Sequence, residues 1–211
     1  MRAADTSVKI WDVATGQVSV TLNHHQGKVQ AVEWNPAESP VLLSGGFDQR
    51  VCLSDVRARD TEGALGCPAW TLSSDVEALG WNPHAPTQFA VSCENGNVII
   101  YDTRNGPDAE PFLQFSAHNK ATTAVSFNPA VPGLLLTAST DKKVNLWDIS
   151  TTTTTATTGV SKLASEDLKV GAVFTASFTK DAPMVLAAGG AKGTVAVWDT
   201  SLCDAVKAKI Q

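Results

Sequence analysis

The sequence predicts an all-β protein: a partial β-propeller arc of about four to five blades, each of four antiparallel strands. Three observations carry this. A strand–turn–strand phrase recurs and closes on Asp, at Trp11-Asp12, Ser54-Asp55, Tyr101-Asp102, Trp147-Asp148 and Trp198-Asp199. An aromatic residue stands 21 positions before the closing Asp in four repeats: Trp34 to Asp55, Trp81 to Asp102, Phe127 to Asp148 and Phe178 to Asp199. A turn residue stands six positions before each closing aromatic slot: Asp5, Asp48, Asn95, Asp141 and Lys192. Length varies only between the closing Asp and the next aromatic, as outer strands and surface loops allow.

The elements follow in order. Residues 4–12 read as the turn and closing strand of a first repeat, and Gly16 to Leu22 as a further strand. Val29 to Trp34 alternates apolar and polar, and Asn35-Pro36 turns the chain. Val41 to Ser44 is the next strand, Gly45 to Asp48 its turn, and Val51 to Asp55 the strand after. The reference copy is Thr137 to Asp148, a strand, a tight turn at Asp141 and a second strand on which Val144 and Leu146 alternate with Lys143 and Asn145. Arg57 to Gly66 and Asn105 to Glu110 read as loops, and Thr151 to Thr158 as a mobile surface insertion. The expected blade parts are 1–22, 23–72, 73–115, 116–165 and 166–203, with 204–211 as a tail that forms a frayed helix or a poor fourth strand. The opening strands of the first repeat are expected to be missing, which would leave an open arc with unpaired edges.

Composition narrows the function classes. A chain of 211 residues, 43% hydrophobic and 18% charged, is an ordinary globular sequence. Its net charge of −5 and scattered Lys and Arg give no phosphate-binding surface, so direct nucleic-acid binding is not expected. Cys52, Cys67, Cys93 and Cys203 have no zinc spacing and read as small buried hydrophobes of a reducing compartment. No metal and no cofactor is implied. With no membrane span or signal peptide recognisable, a soluble intracellular protein is expected.

His118, Thr137, Asp141 and Trp147 converge in one repeat, which invites a catalytic-triad reading. No nucleophile elbow accompanies them. A structural reading explains more: the buried indole N–H needs an acceptor, Thr137 supplies one, and the hydroxyl and Asp141 hold His118. The other repeats carry decayed versions, with His25, Ser44 and Asp48 in the second, Asp5 and Trp11 in the first, and Trp198 in the last. A brace can decay within one chain; a catalytic set cannot. No enzyme is expected.

These residues resemble the WD40-repeat family throughout, with His25 and His118 in its Gly-His slot and Trp-Asp at the blade ends. Segments 28–36, 74–81 and 167–174, the last followed by 186–190, narrow the likeness to a nuclear branch of that family concerned with ribosome biogenesis, of which this chain matches the C-terminal half. The resemblance implies a non-catalytic scaffold of the nucleus and nucleolus, linked to ribosomal RNA processing, whose partners are pre-ribosomal or chromatin-associated proteins. Loop residues Lys28, Phe47, Asp75 and Glu94 are the candidate partner contacts, with Phe47 as first anchor. A second implication is a substrate receptor of a cullin-RING ubiquitin ligase, since Ser54-Asp55-Val56-Arg57 and Tyr101-Asp102-Thr103-Arg104 are degenerate Trp-Asp-x-Arg copies that put Arg57 and Arg104 forward. A histone-tail reader is a third.

Overall fold

The structure is a computed structural model that describes residues 6–57, 67–150 and 159–210. Among these, the chain forms five antiparallel sheets. The first pairs β1 (Val8–Asp12) with β2 (Gln17–Leu22). The second orders β3 (Val29–Trp34), β4 (Val41–Gly46), β5 (Arg50–Asp55) and β6 (Ala69–Thr71). The third orders β7 (Val76–Trp81), β8 (Gln88–Cys93), β9 (Asn97–Asp102) and β10 (Leu113–Ser116). The fourth orders β11 (Thr122–Phe127), β12 (Leu134–Ser139), β13 (Val144–Asp148) and β14 (Ser161–Glu166). The fifth has three strands, β15 (Val173–Phe178), β16 (Val185–Gly190) and β17 (Val195–Asp199). The first strands of successive sheets pack together, β3 on β7, β7 on β11 and β11 on β15, so the sheets are blades set side by side in an arc.

Among the described residues the second, third and fourth blades have four strands and the first has two, as its missing opening strands predict, while the fifth has three rather than the expected four. Of the two forms expected of the tail it takes the helix: Asp204–Ile210 forms α1. Its Val206 is fully buried in the cluster between the fourth and fifth blades, and Lys209 Nζ donates to Asp148 Oδ1 at 2.6 Å and Ser150 Oγ at 2.6 Å. Apolar burial and one ion pair give this short segment the partner that an isolated helix of its length lacks. The expected loop over residues 58–66 and the Thr-rich insertion at 151–158 lie outside the described residues, as does Asp5.

Each innermost strand carries a bulge at the same place, between Val29 and Ala31, Val76 and Ala78, Thr122 and Ala124, and Val173 and Thr175. The extra residue raises the local twist and turns the side chains of Gln30, Glu77, Thr123 and Phe174 out of the pleat. Middle strands are covered on both faces, and β12 is buried at every position. The core therefore lies between blades. Trp70, Trp81, Phe89 and Tyr101 fill the gap between the second and third, with Trp70 edge-on to Phe89 at 5.0 Å. Ile100, Phe127, Leu135 and Trp147 fill the next, and Leu136, Leu146, Val173 and Leu186 the last.

Candidate interaction surface and the buried polar chain

The strand directions set up two faces. Each first strand runs away from the face that holds Asp48, Asn95, Asp141 and Lys192, here the turn face. It ends at the opposite face, which holds Asn35, Asn82 and Asn128.

On the turn face of the fourth blade, the sequence-predicted constellation is brought together. His118 Nδ1 lies 3.0 Å from Asp141 Oδ2, His118 Nε2 lies 2.8 Å from Thr137 Oγ1, and Trp147 Nε1–H donates to Thr137 Oγ1 at 2.9 Å. Thr137 is fully buried and His118 nearly so. Burial lowers the His118 pKa below its ordinary value, outweighing Asp141. A neutral ring completes the chain: Nδ1–H donates to Asp141, Nε2 accepts the Thr137 hydroxyl, and that oxygen accepts the indole N–H. The hydroxyl donates to the ring and accepts from the indole, and Thr137 has no exposed surface, so its oxygen is closed to anything arriving from solvent.

The second blade repeats three members. His25 Nδ1 is 3.0 Å from both Asp48 oxygens and His25 Nε2 is 2.8 Å from Ser44 Oγ. Burial raises the Asp48 pKa, but hydrogen bonds from the Gln26 backbone and His25 outweigh it and hold the carboxyl below its ordinary value. Ser54 stands where the indole would be, and its buried Oγ has no hydrogen-bond partner among the described residues. Trp198 in the fifth blade is half-buried against the last core cluster, with Ala188 rather than a hydroxyl ten residues before it. Trp11 departs from expectation. It is 52% exposed, because among the described residues β1 pairs with β2 alone and no strand on its other edge closes a pocket around the ring.

The opposite face shows what the turn and closing residues do. Asn35 Oδ1 accepts from the backbone of Ala37 and Glu38, while its Nδ2 donates to the Pro86 carbonyl of the next blade at 2.9 Å. Asn128 repeats this, with Ala130 and Val131 as donors and Pro183 as the acceptor. His84 Nε2–H donates to the Asn128 carbonyl at 3.0 Å. The Asn-Pro positions are thus staples between blades, a role that a one-dimensional turn signal does not carry. Closing Asp residues accept the backbone N–H two residues on, at Asp12, Asp55, Asp102, Asp148 and Asp199. Arg57 and Arg104 also reside here. Each folds back on its own carboxylate at 2.6 Å, and those hydrogen bonds hold Asp55 and Asp102 down to about 2.

The predicted partner contacts therefore divide. Lys28, Phe47, Asp75 and Glu94 share the turn face, and Arg57 and Arg104 the other. Lys28 Nζ sits 4.9 Å from the centre of the half-exposed Phe47 ring, and Glu94 N donates to the Asp75 carbonyl at 3.0 Å. Two rim residues escaped the sequence reading. Glu77 accepts from Gln30 Nε2 across the blade boundary, and burial pushes its carboxyl up, with Glu94 and Asp75 adding repulsion. Phe174 is 57% exposed. Both are bulge residues, and the signal that could have found them is the fixed position after Val29, Val76, Thr122 and Val173.

Comparison with known proteins agrees with this architecture. A family profile described as WD domain, G-beta repeat matches residues 16–55 and 109–148. The chain is 30% identical over 204 residues to periodic tryptophan protein 1 of Saccharomyces cerevisiae, covering 93% of this chain and 35% of that protein. It is 38% identical over 135 residues to an uncharacterized WD repeat-containing protein of Schizosaccharomyces pombe, covering 63% of this chain and 25% of the relative. A periodic tryptophan protein 1 homolog of Drosophila melanogaster is 29% identical over 151 residues, with 71% and 32% covered. The chain spans about a third of the length of the first of these relatives, rather than half of it.

Proposed function

This chain is a member of the WD40-repeat family, and on that premise we propose a non-catalytic interaction scaffold that serves ribosome biogenesis in the nucleolus. One observation carries the scaffold reading. The chemically conspicuous residues, His118, Thr137, Asp141 and Trp147, are closed on one another, and the groups left to solvent are rim and loop side chains. The ribosomal assignment comes from the likeness to periodic tryptophan protein 1, which extends over 93% of this chain.

The working surface in this reading is the turn face, where Phe47 and Phe174 supply exposed aromatic area and Asp75, Glu77 and Glu94 supply negative charge. Such a surface suits a protein segment with basic and apolar residues. Aromatic anchors bring large contact area at small entropic loss. The test is depletion of the whole protein, with pre-ribosomal RNA followed by hybridisation and pre-ribosomal particles purified through a tagged copy. Accumulated precursors and co-purification are expected. Normal processing would sink the proposal.

A cullin-RING receptor draws on the exposure of Arg57 and Arg104 on one face, but both guanidinium groups are already engaged by Asp55 and Asp102. Replacing both Arg residues by Ala and finding adaptor pull-down unchanged, or absent from the start, would remove that reading.

A further inference from the structure

Two thiols meet at the outer strand of the second blade. In the ladder between β5 and β6, Cys52 pairs with Ala69, and the Leu53 N–H donates to the Pro68 carbonyl at 2.9 Å. Continuing that register by one residue sets Cys67 opposite Ser54. Cys52 and Cys67 then share one face of the sheet as diagonal neighbours, a placement from which side chains can touch. They do touch: the Cys52 thiol is hydrogen-bonded to Cys67. Ser54 leaves the way between them open, whereas the fourth blade fills that place with the Trp147 ring, under Lys162.

The blade does not require sulfur at either position. Ile99, four residues after its turn residue like Cys52, pairs with Gln114, so the third blade carries Ile99 and Phe112 at the two places. Nor are the two thiols alike. Cys52 is fully buried and Cys67 is partly exposed. The hydrogen bond to Cys67 and then burial push the Cys52 thiol up, so Cys52 keeps its proton and donates it to the Cys67 sulfur. Cys67 is the sulfur that solvent reaches, and a second sulfur stands behind it ready to resolve an oxidised first one.

We propose that Cys52 and Cys67 form a reversible redox pair, which a hydroperoxide closes to a disulfide that ties β6 to β5. The Cys67 sulfur attacks the peroxide; the O–O bond breaks, the leaving oxygen takes the thiol proton, and Cys67 becomes a sulfenic acid. The Cys52 sulfur then attacks the Cys67 sulfur; the S–O bond breaks, and hydroxide leaves with the Cys52 proton as water. One peroxide is reduced and two thiols are oxidised. Closure needs little movement, because the sulfurs already meet and Cys67 precedes the first ladder residue of β6. In a reducing compartment such a pair rests as thiols and oxidises transiently. The bond matters to the blade because β6 has three residues, and its Trp70 fills the gap to the third blade.

The pair lies in the body of the blade, and the proposal does not rest on the ribosomal reading. The 211-residue chain is treated with hydrogen peroxide in native buffer, alkylated in urea, digested and mapped by mass spectrometry. A peptide cross-linked through Cys52 and Cys67 is expected, and dithiothreitol should release it. Cys52→Ala should leave Cys67 as a sulfenic acid that dimedone traps, and Cys67→Ser should leave Cys52 open to alkylation. Closure should raise the melting temperature by roughly 5 °C or more, a rise that both variants lack. Cys67→Ser alters a partly exposed side chain, so it reads the pair even where Cys52→Ala loosens the strand. Both thiols still reduced, Cys67 carried to sulfinic acid beside a free Cys52, Cys67 joined to Cys93 or Cys203 instead, or a melting temperature unmoved by closure would overturn the proposal.

Discussion

Trp147 carries two contributions that separate experimentally. Its ring fills the gap between the third and fourth blades, packed on Phe115 at 4.8 Å, and its indole N–H ends the chain through Thr137 and His118. Trp147→Ala removes both and should cost about 3–5 kcal/mol in urea unfolding. Trp147→Phe keeps most of the packing and loses the hydrogen bond, for about 1 kcal/mol in addition to a small cavity term. If Phe costs as much as Ala, the hydrogen bond dominates and the packing account is wrong. His118 gives the pH signature. Burial depresses its folded pKa, so between the folded value and about 6.5 the unfolded chain binds the proton and the folded chain does not. The contribution is present above that range and is lost as pH falls below about 6.5. The melting temperature should drop from pH 7 to pH 5, with a shallower slope in His118→Gln. Parallel slopes would show that another group sets the dependence.

At the level of elements, the parts legible in the sequence were those fixed by local spacing. The distance from His118 to Thr137 repeats from His25 to Ser44, so the polar chain could be drawn before any coordinates. What spacing cannot express is which strand lies across the groove. The staples from Asn35 to Pro86 and from Asn128 to Pro183 join residues about fifty positions apart, and Asn145 donates to the Ala117 carbonyl 28 positions before it. Helix α1 was ambiguous for the same reason, since Val206 earns its burial only from the adjoining blades. Gly96 illustrates a tight seam of this kind. Its φ is +89°, and a Cβ there would collide with the His118 carbonyl of the following blade. Gly96→Ala combines left-handed backbone strain with overpacking and should cost about 3 kcal/mol. A change under about 1 kcal/mol would mean that this seam yields easily.

Over the whole molecule, each blade buries its residues against a neighbour, as stacked repeats do, and the ends of the arc are where that rule lapses. The fold class was readable because four repeats share one spacing, and so was the short first blade, whereas the outer strand of the fifth blade was not, because it depends on pairing rather than pattern. In the second, third and fourth blades the third strand is covered by β6, β10 or β14. In the fifth, β17 has no outer strand among the described residues, and α1 packs on β14 instead. Val195 and Val197 are 74% and 69% exposed beside this edge. An apolar strand with open N–H and C=O groups is a template for pairing with another strand. The isolated chain should therefore associate with rising concentration, as read by sedimentation velocity and static light scattering. Charged residues on an edge oppose such pairing, so Val195→Lys/Val197→Lys should remove the association. Because both side chains face solvent, the melting temperature at low concentration should change little. Association that persists in the double variant would place the contact elsewhere, with the exposed Trp11 beside the edge of β1 as the next surface to substitute.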